Sequence, residues 1–99
     1  MKYVLMGQSA VLEPDLLKWA EWFQTANRLV KRTQVPGGMI STEFLGVDLN
    51  FQEGPPLLFE TMTFVDGNES GCKRCFTLSE AEEQHDEAVT LWLSKWAKR

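Results

Sequence analysis

Cys72, Cys75, His85 and the carboxylates Glu43, Asp48 and Glu60 are the residues of this 99-residue chain whose types and positions suit chemistry. Cys72-Lys73-Arg74-Cys75 has the spacing of a redox dithiol or of half a zinc site. Lys73 and Arg74 would help lower a thiol pKa, yet a redox pair starts a helix, and here both cysteines precede the helix cap expected at Thr77. Zinc would need two further ligands, for which His85 and a carboxylate are the candidates. Two ordinary thiols in a reducing cytoplasm are the simpler reading.

His85 is the only histidine and lies on an apolar helical stripe between Ala81 and Ala88. A solitary histidine in that setting packs with a ring nitrogen hydrogen-bonded more often than it binds a ligand or carries a proton. Glu60 lies between Leu58 and Met62 on one face of a strand, where a buried carboxylate must be paired, hydrogen-bonded or protonated. Ser41, Thr42 and Thr61 are polar neighbours in the same hairpin. If Glu60 meets His85 across a sheet–helix interface, the two form a buried pair, structural in the simpler case and a general acid–base set in the catalytic one.

The elements that must position these residues follow from patterning. Residues 2 to 6 suit a short edge strand. From Pro14 onward, Leu16, Trp19, Phe23, Ala26 and Val30 step by three and four, which predicts an amphipathic helix. Pro14 suits its first position, Asp15 its positive end, and Arg28, Lys31 and Arg32 its negative end. Pro36-Gly37-Gly38 breaks the chain. Strands are then expected over Met39 to Leu49 and Leu57 to Val65, joined through a Gly-Pro-Pro loop as a hairpin that carries Glu43, Asp48 and Glu60. A third strand is expected from about Cys72 to Thr77, after a polar turn over Asp66 to Gly71. Thr77-Leu78-Ser79-Glu80 matches a capping box, and Leu78, Ala81, His85, Ala88, Trp92 and Trp96 form the stripe of a closing helix. The expected fold is α+β: one small domain over residues 1–99, a three-stranded antiparallel meander flanked by two amphipathic helices, in the order (β)-α-β-β-β-α.

Neither of the two long strands alternates cleanly, so both sheet faces are partly apolar. Helices cover one; a second subunit, a partner or folded-back loops must cover the other. Trp22 lies off the main line of the first helix, where a surface tryptophan would mark an interaction patch. The five acids between Glu80 and Glu87 read as a solvated helix face.

Composition narrows the function classes. A net charge of −4 and pI near 4.9 argue against a phosphate-backbone partner. The first apolar run is too short for a signal peptide, and no run approaches the length of a membrane helix. Nucleic acid and membrane are therefore not expected as partners, nor is a cofactor or a metal.

The segments STEFLGVD (Ser41, Thr42, Phe44, Leu45, Gly46 and Asp48 as the matching positions) and GPPLLFETMTF (Gly54 to Phe64), followed by Thr77, Glu80, Ala81 and His85, carry a further signal. The chain resembles, over about residues 13 to 90, a family of small accessory proteins encoded by tailed bacteriophages. It departs from that pattern at Leu49, where relatives often place histidine, and at Cys75, where an aromatic residue is commoner; both departures weigh against a metal role. The resemblance implies an accessory protein expressed in the cytoplasm of the host cell and no particular activity; such proteins commonly act by stoichiometric binding, including inhibition of host defence proteins or capture of their nucleotide signals.

The expectation is thus a non-enzymatic binding protein, working as a homodimer on a host protein or small ligand. Its binding residues are Ser41, Thr42, Phe44, Asp48, Phe59, Glu60, Thr61 and His85, with none catalytic. The alternatives are a small enzyme built on Glu60 and His85, and a virion or assembly component.

Overall fold

Three two-residue turns organise the chain. Gly7-Gln8, Pro36-Gly37 and Asp66-Gly67 each join antiparallel strands, and the positive φ of Asp66 (51°) and Gly67 (80°) is what a type I′ hairpin turn requires. The structure is a computed structural model that describes residues 1–98. Its elements are β1 (Tyr3–Met6), β2 (Ser9–Leu12), α1 (Leu16–Thr25), β3 (Leu29–Val35), β4 (Gly38–Phe44), β5 (Phe59–Val65), β6 (Asn68–Cys75) and α2 (Leu78–Ala97).

The α+β class with two helices stands, but the meander has four strands in the order β3-β4-β5-β6, and β1 and β2 form a separate two-stranded sheet. The first helix is shorter than the stepping of apolar residues suggested. It stops at Thr25, and Leu29, Lys31 and Arg32 belong to a strand paired with β4 from Leu29↔Glu43 to Val35↔Gly38. Val30, Thr33 and Val35 are β-branched, and the backbone ladder to β4 outweighs an i, i+4 pattern that continued by coincidence. Pro14 precedes the helix, and Asp15 is its N-cap, accepting from the Leu17 and Lys18 amides. The six-residue turn expected over Asp66 to Gly71 is the tight Asp66-Gly67 turn, so β6 starts at Asn68.

β4 and β5 pair from Gly38↔Val65 to Phe44↔Phe59, as the hairpin expectation required, but β4 ends at Phe44 and not at Leu49. Beyond it, Leu45 N–H donates to Leu58 O and Leu49 N–H to Leu57 O, while the Asp48 carboxylate accepts from the Asn50 and Leu57 amides. Asp48 therefore shapes the loop.

Register assigns the faces. Ile40, Thr42 and Phe44 share one with Phe59, Thr61 and Thr63, and α2 lies on it. Buried Phe44, Leu58, Phe59, Cys75 and Ala81 form the core, against which Tyr3, Leu5, Ala10, Trp22, Val30 and Leu78 pack. Trp22 meets Phe44 edge to face at 5.8 Å, so it belongs to the core margin and not to a free patch. Trp19 donates from Nε1 to the carbonyls of Tyr3 and Gly46, and Phe23 lies against Gly46, whose φ of 77° and close ring contact leave no room for a side chain. The radius of gyration, 14.8 Å, exceeds the about 13 Å typical for this length, in keeping with an elongated outline of 50 × 29 × 22 Å.

Thr77 and Glu80 close the expected capping box reciprocally, each side chain taking the other's backbone N–H. Thr77→Ala should cost about 1 kcal/mol and lower Tm by about 4–8 °C. A melting curve that does not move would show that the first turn of α2 is held by packing alone.

Candidate functional site

The residues singled out in sequence divide between two faces of the sheet and one loop. Beneath α2, Thr42 Oγ1 lies 2.7 Å from Thr61 Oγ1 and 2.8 Å from His85 Nδ1, and His85 Nε2 lies 2.8 Å from Thr33 Oγ1. Gln84 Nε2 donates to Thr61 Oγ1 at 3.0 Å and to the Lys73 carbonyl at 2.9 Å. This chain of five side chains crosses all four strands of the meander, from Thr33 on β3 to the β6 backbone. Alternation along β4 and β5 aims Thr42 and Thr61 at the helix, and the i, i+3, i+4 stepping of Ala81, Gln84 and His85 aims the helix residues back.

A neutral imidazole has one donor and one acceptor nitrogen, and a threonine hydroxyl can serve as either, so the chain is fully satisfiable without a charge. Among the described residues no buried side-chain polar atom lacks a partner. His85 is completely buried. Burial holds its pKa below the ordinary 6.5, with Lys31 adding to that and Asp86 opposing it. Phe44 and Phe59 adjoin this layer, 5.2 Å apart and fully buried, and present no surface to a partner.

The opposite face carries Ser41 and Glu43 from β4, Glu60, Met62 and Phe64 from β5, and Cys72 and Arg74 from β6. Glu60 is the hub. Its Oε2 accepts from Arg74 Nε at 2.8 Å and from Cys72 Sγ at 3.2 Å, and its residue is only 8% exposed because these neighbours lie over it. The bond to Glu60 raises the Arg74 pKa, and burial followed by the Glu60 hydrogen bond raises that of Cys72. Glu60 and His85 thus lie on opposite faces, and the buried acid–base pair considered from sequence does not form. In register, Glu43 stands directly across from Glu60, a like-charged pairing that Arg74 offsets on one side only.

The cysteines separate in the same way. Cys72 is exposed on the outer face and Cys75 is buried in the core. Three residues of extended strand place them about 10 Å apart, beyond the reach of a disulfide. Burial pushes the Cys75 thiol up to about 11. With both thiols raised, neither has the character of a redox nucleophile. Among the described residues no group of three or more His, Cys, Asp and Glu side chains converges on a possible metal position.

Sequence reading named Thr42, Thr61 and His85 but missed Thr33 and Gln84. Thr33 was hidden by its assignment near the end of a helix. Gln84 was legible, three residues after Ala81 and four before Ala88. Arg74 was noted only as a neighbour of the cysteines, since its alignment with Glu60 depends on the β5–β6 register.

No protein-family model matches the chain, nor does any curated protein or solved structure. No helix among the described residues is long and apolar enough to cross a membrane.

The depressed His85 pKa has a defined consequence. Between about pH 6.5 and the lower folded-state value, the unfolded chain binds a proton that the folded chain excludes. The stabilisation is fully present above about pH 6.5 and is lost as pH falls through the folded-state value. Within that window stability should rise with pH, with a slope below the one-proton limit of about 1.4 kcal/mol per pH unit. Urea unfolding of the wild type and of His85→Gln across pH 5 to 7 should show this component only in the wild type. Equal slopes would place the acid sensitivity elsewhere.

Proposed function

We propose that this protein acts without catalysis, by stoichiometric binding in the cytoplasm of a bacterial host, as a phage-encoded accessory protein that works as a homodimer. Inhibition of a host defence component is the activity that its resemblance to phage accessory proteins suggests. The observation that carries the binding reading is the sheet face opposite α2. Half-buried Met39, Met62 and Phe64 are continuous there with Ser41, Glu43 and the Glu60–Arg74 pair, while both helices pack elsewhere.

The edges of the meander favour engagement by this face over strand addition. β3 is bulged between Leu29 and Lys31 and bears Lys31 and Arg32; β6 is bulged opposite the Thr63–Phe64 step and bears Lys73 and Arg74. Bulges and cations are the usual means of blunting an edge. Four strands about 4.8 Å apart and about seven residues long give the face a plan area of roughly 450 Å², the scale of a modest protein interface and far flatter than a ligand pocket. Glu43, whose neighbour Glu60 is already matched by Arg74, suits a partner with a cation beside an apolar patch.

The test is capture from a bacterial lysate by tagged wild type, Met62→Lys, Glu43→Lys and, as a control on the solvent side of α2, Glu82→Lys. A partner held in fixed stoichiometry by wild type and control should be lost by Met62→Lys and weakened about tenfold or more by Glu43→Lys. Equal retention by all four proteins would remove the sheet face from the reading.

A further inference from the structure

Exposed apolar surface is concentrated in the N-terminal segment. Of the twelve large apolar residues exposed among the described residues, six lie within the first seventeen positions: Met1, Met6, Val11, Leu12, Leu16 and Leu17. Leu17, at the start of α1, is 75% exposed and Leu16 is 60% exposed. Leu12 and Leu16 share a depression with Met1, Lys2, Glu13 and Pro14. Single exposed leucines need no explanation, but Leu12 and Leu16 grouped beside an open strand do.

The strand is β2. Its partner β1 is closed on the other side by the segment after β4, through Tyr3 N–H to Gly46 O, Asp48 N–H to Met1 O and the Lys2↔Val47 bridge. Among the described residues, no backbone hydrogen bond reaches the outer edge of Ser9–Leu12 from any other segment. β2 contains no charge and no proline, and its register with β1 runs unbroken from Tyr3↔Leu12 to Met6↔Ser9. It lacks both devices, bulge and cation, that blunt β3 and β6.

Resting on the homodimer reading above, we infer that a second copy of this chain occupies the β2 edge, with the two β2 strands antiparallel about a twofold axis and the Leu12, Leu16 and Leu17 surfaces packed beside them. A twofold axis perpendicular to the sheet keeps its faces, so antiparallel self-pairing opposes residues of the same parity: with the axis at Val11, Val11 meets its own copy, Ala10 meets Leu12 and Ser9 meets Glu13, and no like charges are opposed. The symmetry makes each off-axis contact twice. Val11, Leu12, Leu16 and Leu17 together offer on the order of 400 Å² of accessible surface, half of the about 800 Å² per partner of a standard interface and the scale of a concentration-dependent dimer. The sheet face opposite α2 stays free for the partner, and each dimer presents two copies of it.

Sedimentation analysis of the full chain over a concentration series tests this. The wild type should be a dimer, Val11→Lys and Leu17→Glu should each weaken association by about tenfold or more, and Met62→Lys should leave it unchanged. In parallel, amide exchange of Ser9–Leu12 in the wild type should slow as protein concentration rises, a readout that does not depend on any variant folding. A wild type that stays monomeric to about 100 μM, or exchange of Ser9–Leu12 independent of concentration, overturns the inference. So does a dimer lost through Met62→Lys and retained by Val11→Lys, which would move the twofold interface to the sheet face. A monomer that still loses its captured bacterial partner through Met62→Lys overturns the β2 interface alone and leaves the binding face standing.

Discussion

The imidazole of His85 is the point on which the molecule is built. A sheet of four strands and a single long helix could meet through apolar packing alone, and the core residues Ile40, Phe44 and Phe59 supply that packing. Apolar contact is non-directional and would tolerate a helix slid or rotated by a fraction of a turn. The chain from Thr33 through His85, Thr42 and Thr61 to Gln84 does not tolerate it, because each buried hydroxyl and ring nitrogen left without its partner costs about 1–3 kcal/mol. Lys31 and Asp86, paired at 2.9 Å at the surface, repeat the β3–α2 connection in solvent, where such a bond is worth little. Directional bonds in a dry layer thus fix one alignment of α2 on the sheet.

That fixed layer decides which residues remain for function. Because alternation sends Thr42 and Thr61 inward, Ser41, Glu43, Glu60 and Met62 must point outward. The candidates from sequence therefore have three physical roles. Thr42, Thr61, His85, Phe44 and Phe59 hold the fold, Asp48 holds a loop, and Ser41 and Glu60 belong to a surface. Glu60 shows how an outward carboxylate can still be buried: Arg74 from the edge strand reaches over it, so the charged pair and the apolar side chains around it form one surface.

Much of this was legible in sequence where a local rule governs the outcome. The capping box at Thr77 and the stripe through His85 and Trp92 need only neighbours within one helical turn. The pairing of Thr42 with Thr61 was within reach because the two strands share one hairpin. The failures fall where a distant partner decided the issue. Val30 continues the helical stepping of Phe23 and Ala26, yet Leu29 to Val35 becomes strand because β4 pairs with it, and the Glu60–Arg74 bond depends on a register set by a bulge at the far end of β6. Asp66-Gly67 was a missed local signal, since that dipeptide between strands marks a type I′ hairpin without further context.

The two-residue turns also bear on how the chain reaches this state. β3–β4 and β5–β6 are hairpins closed almost without loop, so each can form from residues adjacent in sequence, whereas β4 and β5 must bring together ends separated by the whole connection 45–58. The thermodynamic obstacle to folding is then the docking of two preassembled ribbons. Thr42 and Thr61, which bond directly across that seam, lie on different ribbons, and His85 can find its place only after they have met. The buried polar layer is in this sense a record of completed assembly, because it joins Thr33 and Thr42 of one ribbon to Thr61 of the other and to Gln84 and His85 of the helix.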